Sequence, residues 1–175
     1  MTSEARLGRF VVNRLGYGAM QLAGPGVFGP PANPPEAIAV LRSAVEAGVN
    51  HIDTAQYYGP DVVNDLIRQA LYPYPSGLAI VSKVGARRDS AGRILLANQP
   101  DELRQGVADN LASLGVEQLA AVNLRLMDGA PVDAFFDEQL EAMIRARDDG
   151  LMAGIGLSNI TVEHLTRALE VTDIV

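Results

Sequence analysis

The sequence contains no cysteine. Disulfide bonds, thiolate nucleophiles and zinc–sulfur sites are therefore excluded, and we expect a cytoplasmic, reducing environment. Clusters of basic residues are also lacking: 14 lysines and arginines face 21 acidic residues, for a net charge of −7. This balance argues against nucleic acid as a partner. No apolar run approaches the roughly 18 residues of a membrane span, and Met1–Glu4 lack the basic start of a signal peptide.

The chain is also short. A closed (β/α)₈ barrel usually takes about 250 residues and seldom fewer than about 200, whereas this sequence has 175. Its content of 48% hydrophobic and 20% charged residues is that of a globular protein. We therefore expect one domain over residues 1–175, which is too short to close an eight-stranded barrel on its own.

Short apolar runs alternate with longer amphipathic segments. The predicted strands are 9–13 (one arm of a small hairpin), 15–20, 50–53, 78–83, 119–124 and 154–158, with another beginning at 173. The predicted helices are 35–48, 61–72, 101–114, 131–147 and 161–169, the last with Thr161 as its N-cap. Because the strands are apolar without alternation and are separated by helices, the pattern predicts an α/β fold with a parallel sheet covered by helices.

Ionisable side chains stand at or just after the carboxyl ends of the predicted strands. They are Asp53, Tyr58, Lys83 and Arg125. In parallel βα arrays, ligand sites gather at this end of the sheet. We therefore expect these four side chains to lie on one rim.

The combination suits one kind of chemistry. A free phenol is a weak proton donor near neutral pH, but a neighbouring cation stabilises the phenolate and makes the phenol a workable general acid. Lys83 needs a counter-charge at the end of an apolar strand, and Asp53 can supply it. The set therefore suits protonation of a carbonyl oxygen by Tyr58. No side chain can supply hydride, so a nicotinamide or flavin is needed.

Five segments together resemble the aldo-keto reductase family in order and spacing. They are residues 15–20, 50–59, 81–83, 111–124 and 154–159. The resemblance covers about residues 8–175 and implies a reductase of aldehydes or ketones that uses NADPH on a (β/α)₈ TIM barrel. The chain would hold the N-terminal portion of that barrel, with about five βα units and the start of a sixth strand.

The resemblance also implies a role for each site residue. Tyr58 would be the general acid, Lys83 would tune its acidity, and Asp53 would pair with Lys83 and touch the nicotinamide ribose. Arg125 stands where the family usually has histidine; because it stays protonated, it would donate hydrogen bonds to a substrate oxygen or anionic group without shuttling a proton. The implied cofactor-binding residues are Gly18, Ala19, Met20, Asp53, Ser158 and Asn159.

Several alternatives stay open. The chain can be a non-catalytic relative that binds a partner or nucleotide, or part of a longer protein, because roughly three further βα units of the family fold lie beyond Val175. Uncovered sheet edges would favour self-association or completion by a second polypeptide. Arg125 can instead form a structural salt bridge, and the Ser158–Asn159 pair a turn and helix cap. We expect His51 in the core, His164 in solvent, and no metal site.

Overall fold

Strands and helices alternate along the chain, which confirms the predicted α/β class. The computed structural model describes residues 4–175, so part of the segment used for the signal-peptide expectation lies outside the described residues. The strands are β1 (Glu4–Leu7), β2 (Phe10–Asn13), β3 (Tyr17–Gly18), β4 (His51–Asp53), β5 (Ala79–Arg88), β6 (Ile94–Ala97), β7 (Ala121–Arg125) and β8 (Ile155–Ser158). The helices are α1 (Pro34–Glu46), α2 (Val62–Leu71), α3 (Pro100–Leu114), α4 (Ala134–Asp148) and α5 (Val162–Val171).

The main sheet is parallel and follows the order of the chain, β3-β4-β5-β7-β8. A doubly wound sheet reverses its strand order at a switch point, whereas a barrel adds each strand beside the preceding one. The fold is therefore part of a (β/α) barrel. At the β8 edge, the Val175 N–H donates to the Ile155 carbonyl at 3.0 Å, so the chain runs beside β8 where the sixth strand was predicted, although residues 173–175 are not themselves a strand.

The register divides the sheet into two faces. Asp53 pairs with Val81, Lys83 with Asn123, and Arg125 with Ser158. Paired residues of a parallel ladder, and residues two apart on one strand, project to the same side. The charged side chains therefore share one face, which we call the inner face. The opposite face packs into the core beneath the helices, with buried residues Ile52, Ile80, Val84, Val122, Leu124 and Ile155.

Side-chain caps close the starts of α1 and α5, the second of them as predicted. Asn33 accepts a hydrogen bond from the Glu36 N–H at 3.2 Å at the start of α1. The predicted N-cap Thr161 accepts from the His164 N–H at 3.3 Å. Such bonds satisfy backbone donors that the first turn of a helix leaves free. Within residues 4–175, no helix combines the length and apolar character needed to cross a membrane.

The strand predicted over residues 15–20 is mostly wrong. Only Tyr17–Gly18 is a strand, and Ala19–Leu22 forms a 3₁₀ turn. Leu15 is 77% exposed, whereas Ala19 and Leu22 are buried. The chain leaves the sheet after Gly18 because a turn brings these two apolar side chains into the core.

The strand predicted to end at Lys83 continues to Arg88 and forms a hairpin with β6, which was not predicted. Gly85 has a φ of +106°, and a side chain there would collide with the Arg125 carbonyl, so only glycine permits this approach of β5 to β7. Asp89 closes the hairpin, since its Oδ1 accepts from the N–H groups of Ala91 at 3.0 Å and Arg93 at 2.9 Å.

The predicted N-terminal hairpin is confirmed as β1–β2, and it covers the end of the sheet opposite the charged rim. Asn50, just before β4, fastens it. Its side chain accepts from the Asn13 N–H at 2.7 Å and donates to the Val11 carbonyl at 3.0 Å. Val12 packs there against Ala79 and Ala120.

The prediction that His164 is solvated is wrong, because its side chain is only 3% exposed. Its ring meets Phe136 of α4 edge-on, with centroids 4.9 Å apart. Nδ1 lies 2.8 Å from Thr161 Oγ1. Helix α5 therefore uses its histidine to pack on α4, while Leu169 is 57% exposed.

Candidate active site

The inner face carries an ion pair between neighbouring strands. Lys83 Nζ on β5 donates to Asp53 Oδ1 on β4 and to the Thr54 carbonyl at 3.1 Å. The lysine side chain is 11% exposed and the aspartate 42% exposed. The structure thus brings together the two residues that the sequence predicted as a pair. It also leaves part of the carboxylate open to solvent.

Tyr58 lies beside this pair. Lys83 Nζ is 5.1 Å from the centre of the Tyr58 ring, close enough for a cation–π contact. The tyrosine side chain is 8% exposed, yet its hydroxyl is not among the buried polar atoms without a partner. Since that hydroxyl makes no hydrogen bond within residues 4–175, it keeps some solvent-accessible surface. A ligand entering from the rim can therefore reach it.

Tyr57 is a neighbouring phenol that the sequence reasoning did not single out. Its ring meets that of Tyr58 edge-on at 5.4 Å, and its hydroxyl is buried without a partner in the described part of the chain. Burial raises the pKa of Tyr57 far above its ordinary value; the Tyr58 and Asp53 charges add to this, while Arg125 and Arg88 oppose it. Tyr57 therefore stays protonated and is a poor proton donor.

We predict that Tyr57→Phe leaves the free energy of unfolding unchanged or raises it by about 1 kcal/mol, because it removes a buried hydroxyl that has no hydrogen-bond partner within residues 4–175. Urea unfolding of the variant and the parent chain measures the difference. A clear fall in the free energy of unfolding would show that this hydroxyl has a partner in solution.

Arg125 ends β7 on the same face. Its Nη1 lies 3.0 Å from Met127 Sδ and 3.5 Å from the Leu126 carbonyl. Within residues 4–175 no carboxylate is close enough to form an ion pair with it. The alternative of a structural salt bridge therefore finds no partner in that part of the chain. The guanidinium keeps donors available to a ligand.

Asn123 lies on the inner face and, like Tyr57, was not among the predicted site residues. It lies between Lys83 on one side and Gly156 on the other. A side chain at Gly156 would collide with the Asn123 amide oxygen, so the glycine makes room for the amide between the strands. The only sequence signal was its place two residues before Arg125.

The residues predicted to bind a cofactor flank the charged rim from both edges of the sheet. Gly18 pairs with Asp53, and the space where its side chain would begin has no neighbour within 4 Å. Met20 is 41% exposed, whereas Ala19, backbone included, has no exposed surface. Ser158 pairs with Arg125 at the other edge.

Asn159 follows Ser158 with a φ of +58°. Its amide nitrogen donates to the Leu126 carbonyl at 2.8 Å and to Asp128 Oδ1 at 2.9 Å. These bonds tie it to the loop after β7, and its amide oxygen accepts no hydrogen bond from residues 4–175. In residues 4–175, no three His, Asp and Glu side chains are grouped as metal ligands.

Comparison with known proteins agrees with this arrangement. The Aldo/keto reductase family model matches residues 14–175. Pyridoxine 4-dehydrogenase of Escherichia coli is 50% identical over 172 residues, which are 97% of this chain and 60% of that protein. An uncharacterized oxidoreductase of Schizosaccharomyces pombe is 36% identical over 163 residues, 93% of this chain and 52% of that protein. The chain thus spans roughly half to three fifths of these relatives' length.

Solved structures show the same fold. An aldo-keto reductase of Bacillus halodurans in its holo form superposes with a TM-score of 0.83 at 23% identity, over 100% of this chain and 56% of its own. An aldo/keto reductase of Klebsiella pneumoniae in complex with NADP and acetate gives a TM-score of 0.76 at 22% identity, over 99% and 55%. The fold is part of a (β/α)₈ barrel, and the matched family is one of oxidoreductases. The chain belongs to the aldo/keto reductase family, which confirms the resemblance drawn from its motifs.

Proposed function

We propose that the protein reduces aldehydes or ketones to alcohols with NADPH and that Tyr58 is the general acid. One observation carries the proposal: an ammonium group already paired with Asp53 lies 5.1 Å from the Tyr58 ring centre. A cation at that position stabilises the phenolate that remains once the proton has left. The neighbouring Tyr57 has a buried hydroxyl and a raised pKa, which favours Tyr58 for the role.

The rim fits a nicotinamide cofactor in its donors and in its free space. The open surface above Gly18 admits a flat ring beside Asp53, the Asn159 amide oxygen can accept from a carboxamide, and the Ser158 hydroxyl can donate to one. NADPH, when bound, supplies the hydride. The residues proposed to form its site are Gly18, Ala19, Met20, Asp53, Ser158 and Asn159, with the buried Ala19 positioning its two neighbours.

Residues of the chain stabilise the negative charge that develops on the substrate oxygen. As the carbonyl carbon gains hydride, its oxygen gains negative charge, and the Tyr58 hydroxyl gives that oxygen its proton. Lys83 stabilises the resulting phenolate, while Asp53 keeps the ammonium in place. Two cations, Lys83 and Arg125, and one anion, Asp53, leave the rim with a formal charge of +1, which favours a developing oxyanion.

Arg125 points to the class of substrate. A guanidinium that has no carboxylate partner within residues 4–175 can donate to an ionised or strongly polar oxygen near the reacting carbonyl. The relative named pyridoxine 4-dehydrogenase is 50% identical to this chain. Oxidation of the alcohol on carbon 4 of pyridoxine gives the aldehyde pyridoxal. Pyridoxal carries a hydroxyl group on the ring carbon next to the one that bears the aldehyde. Pyridoxal is therefore the first substrate to try.

We predict that Arg125→His keeps substantial reductase activity in a full-length protein but shifts substrate preference. The imidazole still donates a hydrogen bond, but it loses the permanent charge that favours an anionic oxygen. The measurement is the ratio of kcat/KM for pyridoxal to kcat/KM for benzaldehyde, which has no hydroxyl group on its ring. An unchanged ratio would contradict a substrate-facing Arg125.

The function itself is tested by loss of NADPH absorbance on addition of aldehyde, with quenching of NADPH fluorescence as the binding assay. Two forms are compared: the 175-residue chain, and the chain extended by the segment that its relatives carry beyond this length. We expect turnover in the extended form. Ordinary efficiency in the 175-residue chain would show that the further units are not needed. Absence of NADPH binding and turnover in both forms would favour the non-catalytic alternative.

A further inference from the structure

A buried polar cluster lies on the helix side of the sheet, directly behind the charged rim. Its members are Thr54, Asn64, Ser82 and Asn110, all 0% exposed. Burying polar groups costs free energy unless they are hydrogen-bonded, and apolar side chains would fill the same positions without that cost. The cluster therefore calls for a reason beyond core packing.

The cluster is fully connected. Thr54 Oγ1 donates to Asn64 Oδ1 at 2.8 Å, and Asn64 Nδ2 donates to Asn110 Oδ1 at 3.1 Å. Ser82 Oγ donates to the same Asn110 oxygen. Asn110 Nδ2 donates to the Gly106 carbonyl at 2.8 Å and to the Lys83 carbonyl at 3.4 Å. Asn110 thus joins β5 to α3 and, through Asn64, to α2 and the end of β4.

Two members of the cluster are the immediate neighbours of the ion pair. Thr54 follows Asp53, and Ser82 precedes Lys83. The Thr54 carbonyl accepts from Lys83 Nζ at 3.1 Å, and the Thr54 N–H donates to the Val81 carbonyl at 2.9 Å. The side chains of Thr54 and Ser82 therefore fix, from behind, the backbone that presents Asp53 and Lys83 to the inner face.

We propose that Asn110 is a positioning residue for the reaction. Acting through Ser82, Asn64 and Thr54, it holds the end of β4 and the middle of β5 in the relative position that keeps the Lys83 ammonium between Asp53 and Tyr58. Asn110 touches neither substrate nor cofactor. The proposal rests on the proposed function of the site. A fully satisfied network suits this role, because its directional bonds fix one arrangement where apolar contacts would allow several.

The kinetic test compares Ser82→Ala and Asn110→Ala with Asn50→Ala. Asn50 is a matched control, since it is an asparagine with two hydrogen bonds at the opposite end of the sheet. We expect kcat for aldehyde reduction to fall about tenfold in Ser82→Ala and about thirtyfold in Asn110→Ala, because small displacements of reacting groups have effects of this order. KM should change little, the isotope effect with deuterated NADPH should rise, and Asn50→Ala should keep the parent kcat.

A second measurement does not depend on turnover. Amide hydrogen exchange in residues 53–58 should be at least tenfold faster in Ser82→Ala and Asn110→Ala, and unchanged in Asn50→Ala, which should speed exchange in residues 4–13 instead. If Asn110→Ala does not fold, Ser82→Ala decides alone, because it removes one oxygen atom from a small side chain.

The outcomes separate the two proposals. Unchanged kcat and unchanged exchange in Ser82→Ala, or an equal fall of kcat in Asn50→Ala, would overturn the positioning role. A rise in KM at constant kcat would also overturn it. If Tyr58→Phe turns over like the parent protein, the proposed function fails instead, whatever the cluster variants do. Faster exchange at residues 53–58 with normal kcat would show a structural cluster without a catalytic consequence, which rejects the proposal.

Discussion

Replacing Tyr58 with phenylalanine is expected to lower kcat for aldehyde reduction by about a hundredfold to ten-thousandfold, the range that a positioned general acid contributes. The variant keeps the ring that lies 5.1 Å from Lys83 Nζ and loses only the hydroxyl. NADPH binding should therefore be nearly unchanged. Hydride arriving at the carbonyl carbon would leave an alkoxide that has to take its proton from water.

The matched control is Tyr57→Phe, which makes the same chemical change in a ring 5.4 Å away. Its hydroxyl is buried and its pKa is raised, so its removal should change kcat little. Single-turnover loss of NADPH absorbance with pyridoxal separates chemistry from product release. If Tyr57→Phe were the inactive variant and Tyr58→Phe the active one, the assignment of the acid would be reversed.

The charged residues of the site could be predicted because they follow a rule of topology. Asp53 and Arg125 each end a parallel strand, and Lys83 lies one residue before the last parallel pair of β5 with β7, so all three reach the same edge of the parallel sheet. This rule does not tell which of the adjacent residues Tyr57 and Tyr58 has the accessible hydroxyl. Both lie in a loop, where side-chain direction depends on tertiary packing and not on a regular period. Only the structure shows which hydroxyl is closed off and which is open.

The cluster behind the site was missed for a related reason. Asn64 and Asn110 stand at core positions of α2 and α3, where a hydrophobic pattern gives polar residues no weight. The buried His164 was misplaced by the same logic. The remaining sequence signal is a polar residue at a position where the helical period predicts an apolar one. Such an asparagine is either exposed by a shift of the helix or hydrogen-bonded to another buried polar group.

The β5–β6 hairpin could not be predicted from local sequence patterns. The strand was expected to end at Lys83, two residues before Gly85. In the structure, Gly85 lets β5 pass close to the Arg125 carbonyl and continue. A contact between residues 40 positions apart decides the conformation there, and no window of local sequence contains both.

Lys83→Met and Asp53→Asn should separate catalysis from stability, because the two partners of the ion pair are buried unequally. Lys83→Met leaves a carboxylate that is 42% exposed and can be solvated, so it should cost only about 1 kcal/mol of unfolding free energy. It removes the cation that stabilises the phenolate, and kcat should fall about a hundredfold or more.

Asp53→Asn leaves an ammonium that is 11% exposed with the Thr54 carbonyl as its remaining strong acceptor, and the loss of unfolding free energy should reach about 3 kcal/mol. Since the cation beside Tyr58 survives, kcat should fall less than in Lys83→Met. Urea unfolding and single-turnover reduction of both variants give the two rankings. Opposite rankings are expected for stability and for kcat; a larger fall of kcat in Asp53→Asn than in Lys83→Met would mean that Asp53, and not Lys83, supplies the main electrostatic contribution to proton transfer.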